Sequence, residues 1–398
     1  MMKLELSKVP RELKVILELL KDQEEEQLAE KSINLFHKVD WSVFVSLCVH
    51  HRVYPLIYPR LRELPNTIVP EDILSFFERK FRNNTFHMLY LSSVMEELSQ
   101  NLLDEKIRVL FLKGPVIAHD LYGDLSLRTS SDLDFIVPFD KLGQTEIVLQ
   151  RMGFVKDEYI KTILGDWKWR HHHFTYFHPV KKIKAEIHWR LHPGPGREPG
   201  FEHLWMNKRR SSLSESPLYF LGKEDLFSFL VKHGGRHGWS RLRWLTDIQR
   251  ILKQDVNWKT AEGLLNSFHS LKEGKQAVSL AVHLLNSSIP ADLNVMVDAG
   301  RELKSAQSAI FYLENKINLH TCPLPEEISS YHSTYLFSLM SLEQKIMHLA
   351  SFLFPFQEDA ETLPLPLKYH SLYYILHPFL WTWRKAVKES GNLKGQKS

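Results

Sequence analysis

Val109-Leu-Phe-Leu-Lys113-Gly114 and, after a polar turn region, Arg128-Thr-Ser-Ser-Asp132-Leu-Asp134-Phe-Ile-Val137 decide how this chain reads. Ile107 to Leu112 is a short, almost continuous apolar run, the pattern of a buried strand. Asp132 and Asp134 sit two apart in a second strand-like run, so their side chains point to one face and those of Leu133, Phe135 and Val137 to the other. Two adjacent carboxylates repel unless a cation lies between them. A hard dication that takes oxygen ligands and carries phosphates is the usual solution. The bland alternative is a strand edge with two solvated aspartates.

A third carboxylate stands downstream. In Lys182-Ile-Lys-Ala-Glu186-Ile-His188-Trp-Arg190-Leu191 the residues alternate, with Lys184, Glu186, His188 and Arg190 on one face. The aromatic run His171-His-His-Phe-Thr-Tyr-Phe-His178 precedes it, separated by Pro179 to Lys182. The pair reads as an antiparallel hairpin in which His178 opposes Ile183, Thr175 opposes Glu186 and His173 opposes His188.

The order is then strand, Lys-Gly turn, helix, Asp-x-Asp strand, helix and hairpin with Glu. It resembles the nucleotidyltransferase superfamily typified by DNA polymerase β, and within it a bacterial family of uncharacterised nucleotidyltransferases. The residues that carry the resemblance are Leu112-Lys-Gly114, Leu121-Tyr-Gly-Asp124, Arg128, Asp132-Leu-Asp134-Phe-Ile-Val137, Glu186-Ile-His-Trp-Arg-Leu191 and the segment His237 to Ile248. The match covers roughly residues 85 to 310. One departure is that Asp132 follows Gly114 by 18 positions, more than the superfamily's usual spacing.

The resemblance implies an α+β fold: a small mixed nucleotidyltransferase-type sheet with flanking helices, plus helical N- and C-terminal regions. It implies catalytic and metal-holding roles for Asp132, Asp134 and Glu186, with two Mg²⁺ ions during turnover. The reaction would move a nucleoside monophosphate from a nucleoside triphosphate such as ATP to an unknown acceptor hydroxyl. Lys113 and Gly114 would bind phosphate at a helix start, where backbone N–H groups and a lysine charge favour anions. Arg128 would grip the triphosphate bidentately; as a bland reading it is an ordinary loop arginine. Asp124 organises the Tyr-Gly-Asp turn. A non-catalytic member that binds a nucleotide or a protein partner is the competing reading.

The histidines suggest a third class, a zinc hydrolase, because His171, His172, His173, His178, His188 and His192 crowd into the hairpin. Consecutive strand residues face opposite ways, so the triple run is not expected to converge on one ion. His233, Arg236, His237, Arg241, Arg243 and Asp247, interleaved with Trp239 and Trp244, read either as a platform for a base or sugar or as a helix pair with core tryptophans and solvated arginines. No Gly-x-x-x-x-Gly-Lys-Ser/Thr loop is present, which argues against a P-loop kinase or ATPase.

Composition sets outer bounds. The chain has 398 residues, 43% hydrophobic and 25% charged, as in ordinary globular proteins. A net charge of +4 suits anionic substrates but is not a strong nucleic-acid footprint. Two cysteines, far apart, imply no disulfide framework and fit a reducing cytoplasm. The N-terminus lacks a signal-peptide pattern. No apolar run reaches the ~20 residues of a membrane span, and the aromatic segment Leu372 to Trp383 reads as a helix docked on the core rather than as a membrane-surface or partner helix.

The organisation expected is a helical N-terminal region at 1–105, a nucleotidyltransferase α/β core at 106–200, a helical region packed on it at 201–320, and a helical C-terminal region at 321–398 with a flexible tail. The Pro/Gly-rich stretch 192–200 is the clearest break. Helix interruptions are expected near Asn83-Asn84 and at Gly234-Gly235.

Overall fold

Seven strands, β1 (Leu110–Phe111), β2 (Asp132–Ile136), β3 (Val155–Lys156), β4 (His173–His178), β5 (Ile183–His188), β6 (Arg209–Arg210) and β7 (Tyr219–Phe220), form a mixed sheet in the order β3-β4-β5-β2-β1-β7-β6. The structure, a computed structural model, describes residues 3–22, 34–65, 67–158, 160–296, 301–321 and 323–395. Residues 23–26 of the acidic stretch that starts at Asp22, the residues 298–300, Cys322 and the last three residues of the expected tail lie outside the described residues. The architecture is the expected α+β one: a mixed sheet embedded among many helices.

β2 lies in the middle of the sheet because both of its faces are covered. Leu133, Phe135 and Ile136 are buried, and the Phe111 and Phe135 rings stand 6.1 Å apart across the β1–β2 pair. β2 runs parallel to β5, with Asp134 opposite Glu186 and Ile136 opposite His188. β4 and β5 form the antiparallel hairpin in the register read from the sequence, with His178 opposite Ile183 and His173 opposite His188. β6 and β7 join beside β1, so the sheet extends past residue 200. The 192–200 stretch is tied back: the Glu198 carboxylate accepts from the backbone N–H groups of Leu191 and His192 and from Arg190 Nε, each at 3.1 Å.

The helix Glu71–Asp104 runs 34 residues without the break expected at Asn83-Asn84. Asn84 is buried, and its Nδ2 donates to the carbonyls of Ser126 at 2.8 Å and Arg128 at 3.3 Å. Two satisfied bonds outweigh the small helix penalty of asparagine, and they hold the loop that leads into β2. The helix Lys223–Arg236 likewise runs through Gly234-Gly235. A Cβ at Gly234 would stand 2.2 Å from the Trp239 ring. This glycine therefore serves a close approach, not a bend.

The C-terminal helix Tyr373–Gly395 is held along one edge only. Tyr373 and His377 are buried, while Phe379 is 71% and Trp383 66% exposed. Its anchor is polar: buried Asp359 accepts from His377 Nδ1 at 2.6 Å and from Arg384 Nη1 at 2.7 Å. The helix expected to dock on the core packs on the segment just before it, through this ionic group and through Tyr373 and the Phe354–Tyr374 ring pair. Among the described residues, no helix is long and apolar enough to cross a membrane.

Candidate active site

β1 ends at Phe111, and Leu112 N donates to Asp134 O at 2.8 Å, which sets the following turn against the Asp-x-Asp strand. Gly114 makes that turn at φ +87°, a conformation that side chains rarely adopt. It directly precedes the helix Pro115–Tyr122. Lys113, held just before it, brings Nζ to 2.9 Å from Asp134 Oδ1.

The three carboxylates expected from the sequence converge, with two further side chains among them. Lys184 Nζ stands between Asp132 Oδ2, at 3.3 Å, and Glu186 Oε1, at 2.6 Å. His188 Nε2 lies 3.4 Å from Asp134 Oδ1 and 3.7 Å from Glu186 Oε2. Asp134 is completely buried, and beyond the ion pair of Oδ1 with Lys113 its carboxylate has no hydrogen-bond partner. A carboxylate so placed needs cations. Lys113 supplies part of this charge, and Asp134 together with Glu186 makes a donor set that fits a dication.

Charge coupling within the cluster is strong. Burial alone would push the Glu186 carboxyl up; the contact with His188 and the charges of His173 and Lys113 outweigh it and hold it well below the usual range. Burial pushes His188 down, and its contacts with Asp134 and Glu186 overcome that and raise it. For Lys184, the carboxylates of Glu186 and Asp132 outweigh burial and raise it. His173 goes the other way, lowered to about 4 by burial and by His188.

Three sequence readings take a different shape in the structure. The first is the histidine run: among the described residues His171 joins no ligand group, as expected of the triple run, but His172 and His173 do meet, with His173 Nδ1 at 3.1 Å from His172 Nε2 and His188 beside both. Alternation does not separate them because β4 begins only at His173; the His172 carbonyl instead accepts from Trp189 N.

The second is Arg128. Its fork is closed on Asp247, Nε to Oδ1 and Nη2 to Oδ2, both at 2.9 Å, and both residues are buried. Tyr122 adds a bond to Asp247 at 2.8 Å. The two arms expected to hold a triphosphate are therefore engaged in an internal brace, while the residue also lines the cavity beside Asp132. The third concerns the 233–247 segment, whose tryptophans are core and whose arginines nevertheless point inward. Trp239 donates to Gln276 at 2.8 Å, and Arg243 Nη1 donates to the Thr129 carbonyl at 2.6 Å. Asp124 caps its turn as read, accepting from Ser126 N at 2.8 Å.

Beside Asp132 opens a cavity of about 260 Å³ whose wall includes Arg52, Lys113, Lys184, Arg241, Arg243 and His320. These cations crowd one another. Burial and the neighbouring Arg128 and Arg52 push Arg243 down to about 9, and burial and Arg52 push Arg241 down to about 10. Arg52, from the N-terminal helices, and His320, beyond the core, carried no sequence signal. Lys184 and His188 did, through their shared face with Glu186.

No curated protein matches the chain. Among solved structures, it is similar to an antigenic nucleotidyltransferase-like protein from Paracoccidioides brasiliensis, with 15% identity, a TM-score of 0.28, and coverage of 50% of this chain and 94% of that one. Residues 37–286 match the model of a family described as uncharacterised nucleotidyltransferase. With well over half of its length in that match, the chain belongs to the uncharacterised nucleotidyltransferase family.

Proposed function

We propose that the protein transfers a nucleoside monophosphate from a nucleoside triphosphate to an acceptor hydroxyl, with Mg²⁺ held beside the triphosphate by Asp132 and Asp134 and a second dication by Asp134 and Glu186. One observation carries this reading: Asp132 lines a cavity walled by lysine and arginine, and Asp134, fully buried, and Glu186 cluster beside it on the same sheet face. Bound there, the dications would neutralise the attacking and leaving oxygens of an in-line displacement.

The chain's own residues supply positioning and charge. Lys113 and the arginines Arg52, Arg241 and Arg243 draw the polyphosphate into the cavity, relieving their mutual repulsion. The acceptor oxygen bonds to the α-phosphorus as the α–β bridging bond breaks, and pyrophosphate departs with the electron pair. The hydroxyl proton passes to water or to a carboxylate of the site. In this reading Glu186 completes the ligand set beside Asp134. The buried free thiol of Cys48 suits a reducing cytoplasm.

A non-catalytic nucleotide- or partner-binding role is the second reading. It is favoured by Lys184, which already bridges Asp132 and Glu186 as an internal cation. Screening the four triphosphates against fractionated cell extract, with mass spectrometry of the acceptors, separates the two. Pyrophosphate release with a nucleotidylated acceptor is expected; nucleotide binding without turnover in any fraction supports the second reading.

A further inference from the structure

We infer that Asp134, Glu186 and His188 form a mixed carboxylate–imidazole site that binds a first-row transition dication of the Mn²⁺ or Zn²⁺ type in preference to Mg²⁺. The inference rests on the reading of these carboxylates as cation ligands and specifies the second of the two proposed ions.

The geometry starts from the sheet. Parallel pairing sets Asp134 directly opposite Glu186, and the two-residue period returns His188 to the same face as Glu186. One ligand atom from each of the three lies within 4.8 Å of the others. Asp134 Oδ2 and His188 Nε2 are buried and make no hydrogen bond, and Asp134 Oδ1 meets only Lys113, at 2.9 Å, and His188.

The imidazole is oriented as a ligand. His188 Nδ1 lies 3.2 Å from the Arg190 carbonyl, which can only accept. Nδ1 therefore carries the hydrogen, and in the neutral ring Nε2 aims a lone pair at two carboxylates, 3.4 and 3.7 Å away. Lone pair against carboxylate is repulsive unless a proton or a metal ion sits between. A ring nitrogen bonded to a backbone carbonyl while the other faces carboxylates is the arrangement of metal-binding histidines.

The surroundings favour nitrogen-tolerant metals. The His172 and His173 rings lie 5.2 and 5.0 Å from that of His188, and one nitrogen each of His172, His173 and His188 forms a second group within ligand range. Mg²⁺ prefers an all-oxygen octahedron and gives up water reluctantly, whereas imidazole suits the transition dications. Asp132 stays outside this triad, on the cavity side with Lys184, and remains the oxygen ligand for nucleotide-borne Mg²⁺.

The test uses the untagged full chain without nucleotide, titrated with Mn²⁺ and followed by electron paramagnetic resonance. The expected result is one tight Mn²⁺ per chain that persists in about 100-fold excess of Mg²⁺, with nitrogen modulation of its pulsed echo from a directly bound imidazole. His188→Gln, checked for folding by circular dichroism, should abolish the modulation and weaken Mn²⁺ binding at least tenfold or so. Bound Mn²⁺ with no nitrogen coupling in the unmutated chain, or its displacement by equimolar Mg²⁺, overturns the inference, whatever the variant does. Nucleotidyl transfer supported by Mg²⁺ alone, with no nitrogen-ligated ion, would overturn it and leave the transferase reading standing. Nitrogen-ligated Mn²⁺ without any transfer supports it and removes that reading instead.

Discussion

Asp134 and Glu186 face each other across the parallel pair β2–β5, with the cations Lys113 and Lys184 and the His188 imidazole around them at 2.6 to 3.7 Å. The site thus carries its own counter-charges. Lysine and histidine stand where substrate and dications would act.

Asp132→Asn follows from this balance. Asp132 is partly exposed and pairs with Lys184 at 3.3 Å, a contact worth at most about 1 kcal/mol. The variant should melt within a few degrees of the parent and lose Mg²⁺-dependent nucleotide affinity. Calorimetric titration with and without Mg²⁺ checks it, and equal affinity for the two proteins would remove Asp132 from the metal site.

Lys113→Ala should raise the nucleotide dissociation constant about tenfold, the loss of one charged phosphate contact of ~1.5 kcal/mol. The pairing with Asp134 adds a second effect: with one cation fewer at the carboxylate, dication affinity without nucleotide should increase. Unchanged nucleotide binding would make Lys113 a turn residue only.

Arg128 should behave as a structural residue. Breaking its buried pair with Asp247 leaves a carboxylate that only Tyr122 and its neighbours can serve, and such losses cost about 3–5 kcal/mol. Urea denaturation of Arg128→Ala should show this, and the double variant Arg128→Met, Asp247→Leu should recover a large part. An Arg128→Ala protein of parental stability with impaired nucleotide binding would restore the direct phosphate role.

Glu273 offers a pH test remote from the site. Burial raises its carboxyl from the usual 4.5 to about 7. Between those values the folded chain keeps a proton that the unfolded chain releases, so stability falls as pH rises through this window and is level above it. The span corresponds to a penalty on the order of 3 kcal/mol at pH 8. Glu273→Gln should therefore stabilise the protein more at pH 8 than at pH 5 in urea melts. Equal effects at both pH values would contradict the buried, protonated carboxyl.

Much of the site was legible because strand periodicity is short-range. The spacing of Asp132 and Asp134, the face shared by Lys184, Glu186 and His188, and the four-residue hairpin loop each depend on neighbours in sequence. Legibility ended where tertiary contacts decide. Nothing local shows that Asp247 claims the Arg128 guanidinium, or that Arg52 reaches the cavity from the N-terminal helices. Gly234 reads as a helix breaker until Trp239 is found against it. The His172–His173 contact was hidden by assuming that the strand began earlier than His173.

Labelled nucleotide tests the central claim most directly. With an acceptor fraction present, the unmutated chain should put label from the α-phosphate on the acceptor and release label from the γ-phosphate as pyrophosphate. Asp134→Asn should do neither, since it removes the buried charge between the two proposed ions. Label from the γ-phosphate on the acceptor, or transfer undiminished in Asp134→Asn, would contradict the account.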